Sequence, residues 1–518
     1  MKGSFRESLY IVRIYQKSEK IRMNTILEKF ERTAEAFPDE IAVEDDRCRF
    51  SWKKLKDKAQ RAGSALAAAD CRRKPVVLMV EKSCAALALL YGVLYSGGFY
   101  VFVDTAQPDE RIQKIFRKLD AGVVVAEADQ KERIRAMGYD GIIFEAEKVL
   151  HGKADREELE KIRNEAKAED ILYAVFTSGS TGEPKGIAVS HDAAAKFIGH
   201  FVETFHINRE DIIGNQAPFD FDVSVKDIFS SCVTGARLVL VPRTYFAMPR
   251  QLIDYLCEKK VTTLIWAVSA LCMISQFGGF DYRVPVRLKK VMFSGEIMPL
   301  TQLKIWQDAL PLTQFVNLYG PSEITCNCTY YIVPGHFSGN SLPIGSAFQG
   351  RRVFLLDENQ EEVNSANMSG EICVSGESLA EGYYHDPEKT GQAFLVRNGE
   401  RVYRTGDIGF FGNDGLLNFV GRRDFQIKHM GHRIELGEVE SAMEQIEGVG
   451  RACCIFDHAR SLVYGFYQGE AGTGQVRREL KQKLPSYMIP NKLKKVDAFT
   501  LSAHGKIDRS ALKRAAGL

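Results

Sequence analysis

The chain has 518 residues, enough for about three domains at roughly 150 residues each. Lys and Arg number 69 and Asp and Glu 67, a formal net charge of +2; hydrophobic residues make up 45% and charged residues 26%. This balance excludes a disordered or collagen-like chain and argues against a protein whose main task is gripping nucleic acid. The eleven cysteines are odd in number, irregularly spaced and without a C-x-x-C pair, so they read as reduced thiols of a cytoplasmic protein. Cys326 and Cys328, and Cys453 and Cys454, lack zinc-finger spacing and read as packed thiols. His429 and His432 form H-x-x-H without helical i, i+4 spacing, and a loop or surface position is expected. No apolar run reaches the ~20 residues that span a bilayer, so no membrane insertion is expected. Residues 1–22 carry no cleavage site and read as an N-terminal extension that is not native, with Met23 the expected start.

Taken in order, the stripe Ile26, Leu27, Phe30 and Ala34 predicts a helix over 24–37, ended by Pro38. Strand-like and helical stretches then alternate. Val76 to Val80 reads as a buried strand, Ala85 to Leu94 as a buried helix, and Tyr100 to Val103 as a strand. A helix from Glu110 to Leu119 and a strand at Val123 to Val125 follow. Thr263 to Trp266 and Lys290 to Phe293 are further short strands. Such alternation predicts an α/β body of parallel-sheet subdomains. From about Gly350 short strands with Gly, Asn and Asp turns take over (Arg352 to Leu356, Gly370 to Ser375, Gly415 to Gly421), which predicts a small β subdomain. After Arg423 a small α+β unit begins, with a helix near Glu438 to Ile446 and a strand near Ala452 to Phe456.

The most informative stretch is Tyr173 to Gly186. An apolar strand runs into Thr177, Ser178, Gly179, Ser180, Thr181 and Gly182, and Lys185 follows. Hydroxyls and unobstructed backbone N–H groups are the donors that an anionic phosphate needs, and the lysine adds positive charge. The spacing is neither that of the Walker loop nor G-x-G-x-x-G.

This loop resembles the signature of the adenylate-forming superfamily, which contains acyl-CoA synthetases, luciferases and the adenylation domains of nonribosomal peptide synthesis. Further matches follow in family order: Asn317 to Glu323, Gly370 to Tyr383, Tyr403 to Asp407, Gly421 to Glu435, and His504 to Asp508. The resemblance covers the chain from about residue 24 to its end. It implies a first half-reaction that joins a carboxylate to the α-phosphate of ATP, in a site that must hold two anions in line. Thr177, Ser178, Gly179, Ser180, Thr181, Gly182 and Lys185 would serve the phosphates, and Glu323 would ligate Mg²⁺. Asn317, Tyr319, Gly320 and Ser322 would border the adenine. Asp407 and Arg422 would hold the ribose, and Lys506 would be the catalytic lysine. The resemblance also implies a core of residues 23–423 and a mobile lid of residues 424–518 that rotates about Asp424. One orientation delivers Lys506; the other presents Lys428 and the Gly431 segment. Met430 stands where relatives often have a second glycine, so Gly431 alone would supply the flexibility there.

Phe221-Asp222-Val223-Ser224-Val225 matches the amino-acid-activating branch, where the acid pairs with the substrate α-ammonium. A carboxylate in a pocket is costly unless a cation meets it. Asp220 is expected instead to cap the following helix. Within that branch the chain resembles D-alanine–D-alanyl carrier protein ligases, and its end soon after Lys506 implies a separate phosphopantetheinylated carrier protein as acceptor. Asp222, Val223, Lys226, Ser269, Met292, Ser294, Leu318, Cys326 and Asn327 are the expected substrate pocket. Ser294 and Lys226 depart from the D-alanine pattern, and a lysine there needs an anion or must point to solvent. A serine-like, aspartate or glutamate substrate is expected, with alanine open. An acyl- or aryl-CoA synthetase is the alternative reading.

Overall fold

The computed structural model describes residues 25–179, 183–457, 460–500 and 507–518; the extension 1–22 and the expected start at Met23 lie outside them. The first helix, Ile26–Ala36, begins at a capping box. The Thr25 hydroxyl accepts from the Glu28 amide at 3.3 Å, and the Glu28 carboxylate accepts from the Thr25 amide at 3.4 Å. Its stripe Ile26, Leu27, Phe30 and Ala34 is buried as the periodicity predicts. Cys84–Tyr95 is apolar all round and lies inside the body, started by the Ser83 hydroxyl on the Ala86 amide.

Two large sheets form the body. The nine-stranded one contains six consecutive parallel strands: Gln314–Tyr319, Lys290–Ser294, Thr263–Ala267, Ile212–Asn215, Arg237–Leu240 and Ile41–Glu44. The seven-stranded one has parallel neighbours Ile171–Thr177, Phe99–Phe102, Pro75–Met79, Val123–Ala126 and Ile142–Glu145, with Lys185–Ser190 folding back antiparallel on Ile171–Thr177. Val- and Ile-rich strands suit sheets covered on both faces. The β subdomain is a five-stranded antiparallel sheet built from Arg351–Leu356, Ser369–Gly376, Phe394–Arg397, Glu400–Phe411 and Leu417–Arg422. The strands expected near Val76, Tyr100, Val123, Tyr173, Thr263, Lys290, Arg352, Gly370 and Gly415 are all present, while Ile41–Glu44, Ile142–Glu145, Ile212–Asn215, Arg237–Leu240 and Gln314–Tyr319 are strands that the sequence reading did not assign.

Beyond Arg422 the chain builds a hydrophobic cluster drawn wholly from residues 427–493, around Ile434, Val439, Met443, Val476 and Leu480. Helix Leu436–Glu444 and the antiparallel strands Val449–Asp457 and Leu462–Gly469 supply much of it. Ahead of them stands the hairpin Gln426–His429 and His432–Glu435. The expected loop or surface position for His429 and His432 is wrong. The antiparallel register makes them cross-strand partners, His429 is buried, and the His432 ring stacks on Tyr487 at 3.6 Å.

The hairpin turns through Met430 and Gly431, with φ of 52° and 80°. A two-residue turn with both φ positive matches the strand twist but favours Asn-Gly or Gly-Gly. Gly431 is constrained twice, because a Cβ there would also lie 3.2 Å from the Ala267 Cβ. Met430 is exposed and gains no packing for its left-handed backbone, which costs roughly 1 kcal/mol. Met430→Asn is therefore expected to raise the protection of the hairpin amides against hydrogen exchange by about 1 kcal/mol. Lower protection in that variant would contradict the turn assignment.

Candidate functional site

A cleft of about 950 Å³, open to solvent, lies at the carboxyl ends of the parallel strands, where α/β sheets characteristically bind ligands. The body lines it with Thr177 and Ser178 at the end of one strand and Ser294 and Gly295 at the end of another. Gly320 to Ser322 follow a third, and Asp220 to Val223 lead into helix Val223–Thr234. The segment beyond Arg422 closes it with Gln426, Lys428, Gly431, His432, Arg433 and Tyr487.

Glu323 is the charge centre between the two parts. Its side chain is 0% exposed, and Arg433 Nη1 reaches both carboxylate oxygens at 2.8 and 2.9 Å. Tyr383 donates its hydroxyl at 2.8 Å, and Lys185 Nζ stands 3.7 Å away. Burial pushes the carboxyl up, but Arg433 and Lys185 outweigh it and hold the pKa at about 2. The chain then passes through two left-handed residues, Thr325 and Cys326, which turn it back along the cavity wall. A hard carboxylate kept ionised suits Mg²⁺ shared with phosphate oxygens, so Glu323 fits a metal ligand by donor chemistry. In this structure Arg433 stands on both of its oxygens.

The phosphate loop is occupied in the same way. The Ser178 hydroxyl donates to the Arg433 carbonyl at 2.8 Å and accepts from the Glu435 amide at 3.1 Å. The Gly179 amide donates to Glu438 Oε2 at 3.2 Å, and Glu438 Oε1 pairs with Arg111 at 2.6 Å, both side chains buried. Glu296 accepts from the Gly431 amide at 3.0 Å and from the Ser269 amide at 3.1 Å. Lys428 Nζ lies 5.8 Å from the Tyr319 ring centroid, and burial lowers its pKa.

Other expected residues fall in two groups. Asp407 accepts from the Tyr319 hydroxyl and from Arg422, each at 2.5 Å, and Arg422 also grips Asp424 at 2.7 and 2.9 Å. Asp407, Arg422, Thr177, Ser178, Gly320 and Ser322 all line the cleft. Asn317 and Tyr319 are not among the lining residues: the Asn317 amide donates to the Pro343 carbonyl at 2.9 Å, which turns it from a base edge against expectation, and Tyr319 reaches the site through its hydroxyl on Asp407. Of the nine expected pocket residues, Asp222, Val223, Lys226, Ser294, Cys326 and Asn327 line the cleft. Ser269, Met292 and Leu318 are not among the lining residues; Met292 and Leu318 are core side chains, and the Ser269 amide serves Glu296. Ser180, Thr181, Gly182 and Lys506 lie outside the described residues.

Neither acid near this helix caps it. Asp222 occupies the N-cap position with no side-chain cap bond, and Asp220 lines the cleft instead of capping. Burial raises the pKa of Asp222 against the pull of the Ser322 hydroxyl and Lys226. Burial, with repulsion from Asp104, pushes Asp220 to about 7. Sequence reasoning did not assign Arg433, although it lies inside the matched stretch Gly421 to Glu435. It had no signal for the Arg111–Glu438 pair, whose members are 327 positions apart.

All eleven cysteines are free, and among the described residues no helix is long and apolar enough to cross a membrane. Comparison with known proteins places the chain among similar sequences and structures. The chain is 31% identical to tyrocidine synthase 1 of Brevibacillus parabrevis over 500 residues, 94% of the chain, but spans only 45% of that relative's length. It is 30% identical to the D-alanine–D-alanyl carrier protein ligase of Listeria monocytogenes serovar 1/2a, covering 94% of the chain and 98% of the ligase. The structure of holo-PA1221, an NRPS protein containing adenylation and PCP domains bound to a vinylsulfonamide inhibitor, superposes with a TM-score of 0.80 at 25% identity, over 95% of this chain and 84% of that one. Residues 30–384 match the AMP-binding enzyme family, and with the whole-length ligase relative this places the chain in it: the protein is a member of the AMP-binding enzyme family.

Proposed function

We propose that the protein activates an amino acid with ATP and passes it to the phosphopantetheine thiol of a carrier protein. In the first half-reaction a substrate carboxylate oxygen attacks the α-phosphorus, forming aminoacyl-AMP and expelling pyrophosphate. In the second the thiol sulfur attacks the acyl carbon, forming a thioester, releasing AMP and giving up its proton. The observation that carries the amino-acid reading is Asp222, a carboxylate that lines the cleft with no helix-cap bond. Such a group calls for a cation, and an α-ammonium supplies one. The relatives named as a carrier protein ligase and as adenylation with PCP domains support the same reading. The free cysteines fit a cytoplasmic enzyme.

The residues divide the work. Thr177, Ser178 and the Gly179 amide take the phosphates, with Ser180, Thr181, Gly182 and Lys185. Glu323 would hold Mg²⁺, which when bound neutralises phosphate charge. The ring of Tyr319 offers a face to adenine, while Asp407 and Arg422 take the ribose. Lys506 stabilises charge at the α-phosphate. Residues 424–518 act as a lid turning at Asp424, whose ion pair with Arg422 is a contact the rotation has to rearrange. Arg433 covers Glu323, Glu438 covers the Gly179 amide, and the Arg433–Glu435 backbone covers Ser178. These are the groups a metal-bound triphosphate requires, so the hairpin docks only after pyrophosphate has left.

Asp222→Ala should lower amino-acid-dependent ATP–pyrophosphate exchange roughly tenfold to hundredfold, the worth of a hydrogen bond to a charged group. Unchanged exchange, or equal exchange with acids lacking an α-amino group, would favour an acyl-CoA synthetase. Gly431→Ala strains the turn and crowds Ala267, so transfer to the carrier thiol should fall about tenfold while pyrophosphate exchange persists. Equal losses in both half-reactions would contradict the hairpin's role in the second.

A further inference from the structure

One buried cation in the cleft makes no direct ion pair, although Asp222 and Asp227 attract it from farther off. Lys226 is 0% exposed, and its Nζ donates to Asn327 Oδ1 at 2.8 Å and more loosely to Ser294 Oγ at 3.4 Å. Among the described residues no carboxylate oxygen comes within 4.0 Å of it. Most other cations of this site are treated differently: Arg433 and Lys185 meet Glu323, Arg422 meets Asp407, and Arg111 meets Glu438, while Lys428, which is less buried than Lys226, faces the Tyr319 ring. An ammonium whose only hydrogen-bond partners inside the protein are neutral oxygens is costly, even with Asp222 and Asp227 attracting it from beyond contact.

Its place in the helix adds to that cost. Lys226 is the fourth residue of Val223–Thr234, close to the end where the helix dipole opposes a cation. A residue placed there against both burial and dipole does not serve stability. It also sits four positions after Asp222, so the two lie on one face of the helix, one turn apart, and both line the cleft. The pocket thus presents a carboxylate and an ammonium from backbone positions one helical turn, roughly 5 Å, apart. Asn327 gives its Oδ1 to Lys226, and among the described residues nothing accepts from its Nδ2. The Nδ2 hydrogens and the Ser294 hydroxyl are donors placed around the same ammonium.

We propose that the amino acid carries a carboxylate side chain, of aspartate or glutamate size, which ion-pairs with Lys226 Nζ and accepts from Asn327 and Ser294. This inference rests on the amino-acid reading above and narrows it. The α-ammonium pairs with Asp222 and the side-chain carboxylate with Lys226, so the two charges of the pocket are matched by two opposite charges of one substrate. The remaining α-carboxylate is the group free to react with ATP. A neutral isostere such as asparagine or glutamine fills the same volume but leaves the ammonium uncompensated, and unpaired buried charge is what gives polar pockets their selectivity.

The test is ATP–pyrophosphate exchange by the full chain with both enantiomers of aspartate, glutamate, asparagine, glutamine, serine and alanine, and with acids lacking an α-amino group. The wild-type protein should prefer an acidic amino acid to its amide by roughly tenfold to hundredfold in kcat/KM. Lys226→Met should lose that preference, the acid-to-amide ratio in kcat/KM falling to about one or below. The wild-type comparison needs no variant, so the proposal stays testable if Lys226→Met fails to fold. Best exchange with a neutral amino acid, or an acid preference that survives in Lys226→Met, overturns the acidic side chain while leaving the amino-acid reading in place. Exchange only with acids that lack an α-amino group overturns that reading and this inference together.

Discussion

The arrangement turns on one buried carboxylate. Glu323 is fully enclosed, and burial alone would neutralise it; Arg433 and Lys185 keep it charged. One of those cations belongs to the body and the other to the segment beyond Arg422. The ion pair is therefore both the electrostatic centre of the cleft and a clasp across it. Removing either charge would leave the other buried and unpaired, which is far more costly than losing a surface ion pair. Around it the hairpin repeats one pattern. Arg433, a cation, stands on the carboxylate proposed to hold the metal, and Glu438, an anion, stands on an amide of the loop proposed to hold phosphate. Docked, it supplies the loop with the charges that a metal and a phosphate would bring.

That complementarity explains why a single cleft can serve two reactions without a second set of residues. Charge on the phosphate side is exchanged between a transient ligand and the hairpin, while the substrate side keeps fixed groups on one helix. Asp222 and Lys226 stand on the face of Val223–Thr234 that borders the cavity, and strand ends bring Ser294 and the Cys326–Asn327 turn against them. Parallel strands make this possible because their carboxyl ends all open on one edge, so residues distant in sequence converge there.

Much of this was legible in the residues. Short apolar runs placed about half of the parallel strands and the buried helix Cys84–Tyr95, and Gly and Asn punctuation marked the antiparallel subdomain. The resemblance of their motifs pointed to Thr177, Ser178, Asp222, Asp407 and Arg422, and all five line the cleft. Three kinds of feature were not. Asn317 carries an amide suited to a base edge, but it sits on a strand whose side chains alternate in direction, and the Pro343 carbonyl claims it. Met292 and Leu318 are likewise strand residues drawn into the core. Pairs across the cleft such as Arg111–Glu438 join elements whose apposition is set by docking of two separately packed units, which no local pattern encodes. The H-x-x-H stretch misled for a related reason: cross-strand register, rather than spacing along the chain, decides where those imidazoles point.

The account claims that the hairpin and a metal-bound pyrophosphate compete for Glu323, Ser178 and Gly179. The most direct measurement is amide hydrogen exchange of the unaltered protein with and without saturating Mg²⁺ and pyrophosphate, read at the Gln426–Glu435 hairpin. There the Gly431 amide bonds to Glu296 and the Glu435 amide to Ser178. The account predicts that both amides exchange faster once magnesium pyrophosphate is bound, because the hairpin is displaced. Unchanged or slower exchange at the hairpin, with pyrophosphate demonstrably bound, would contradict it.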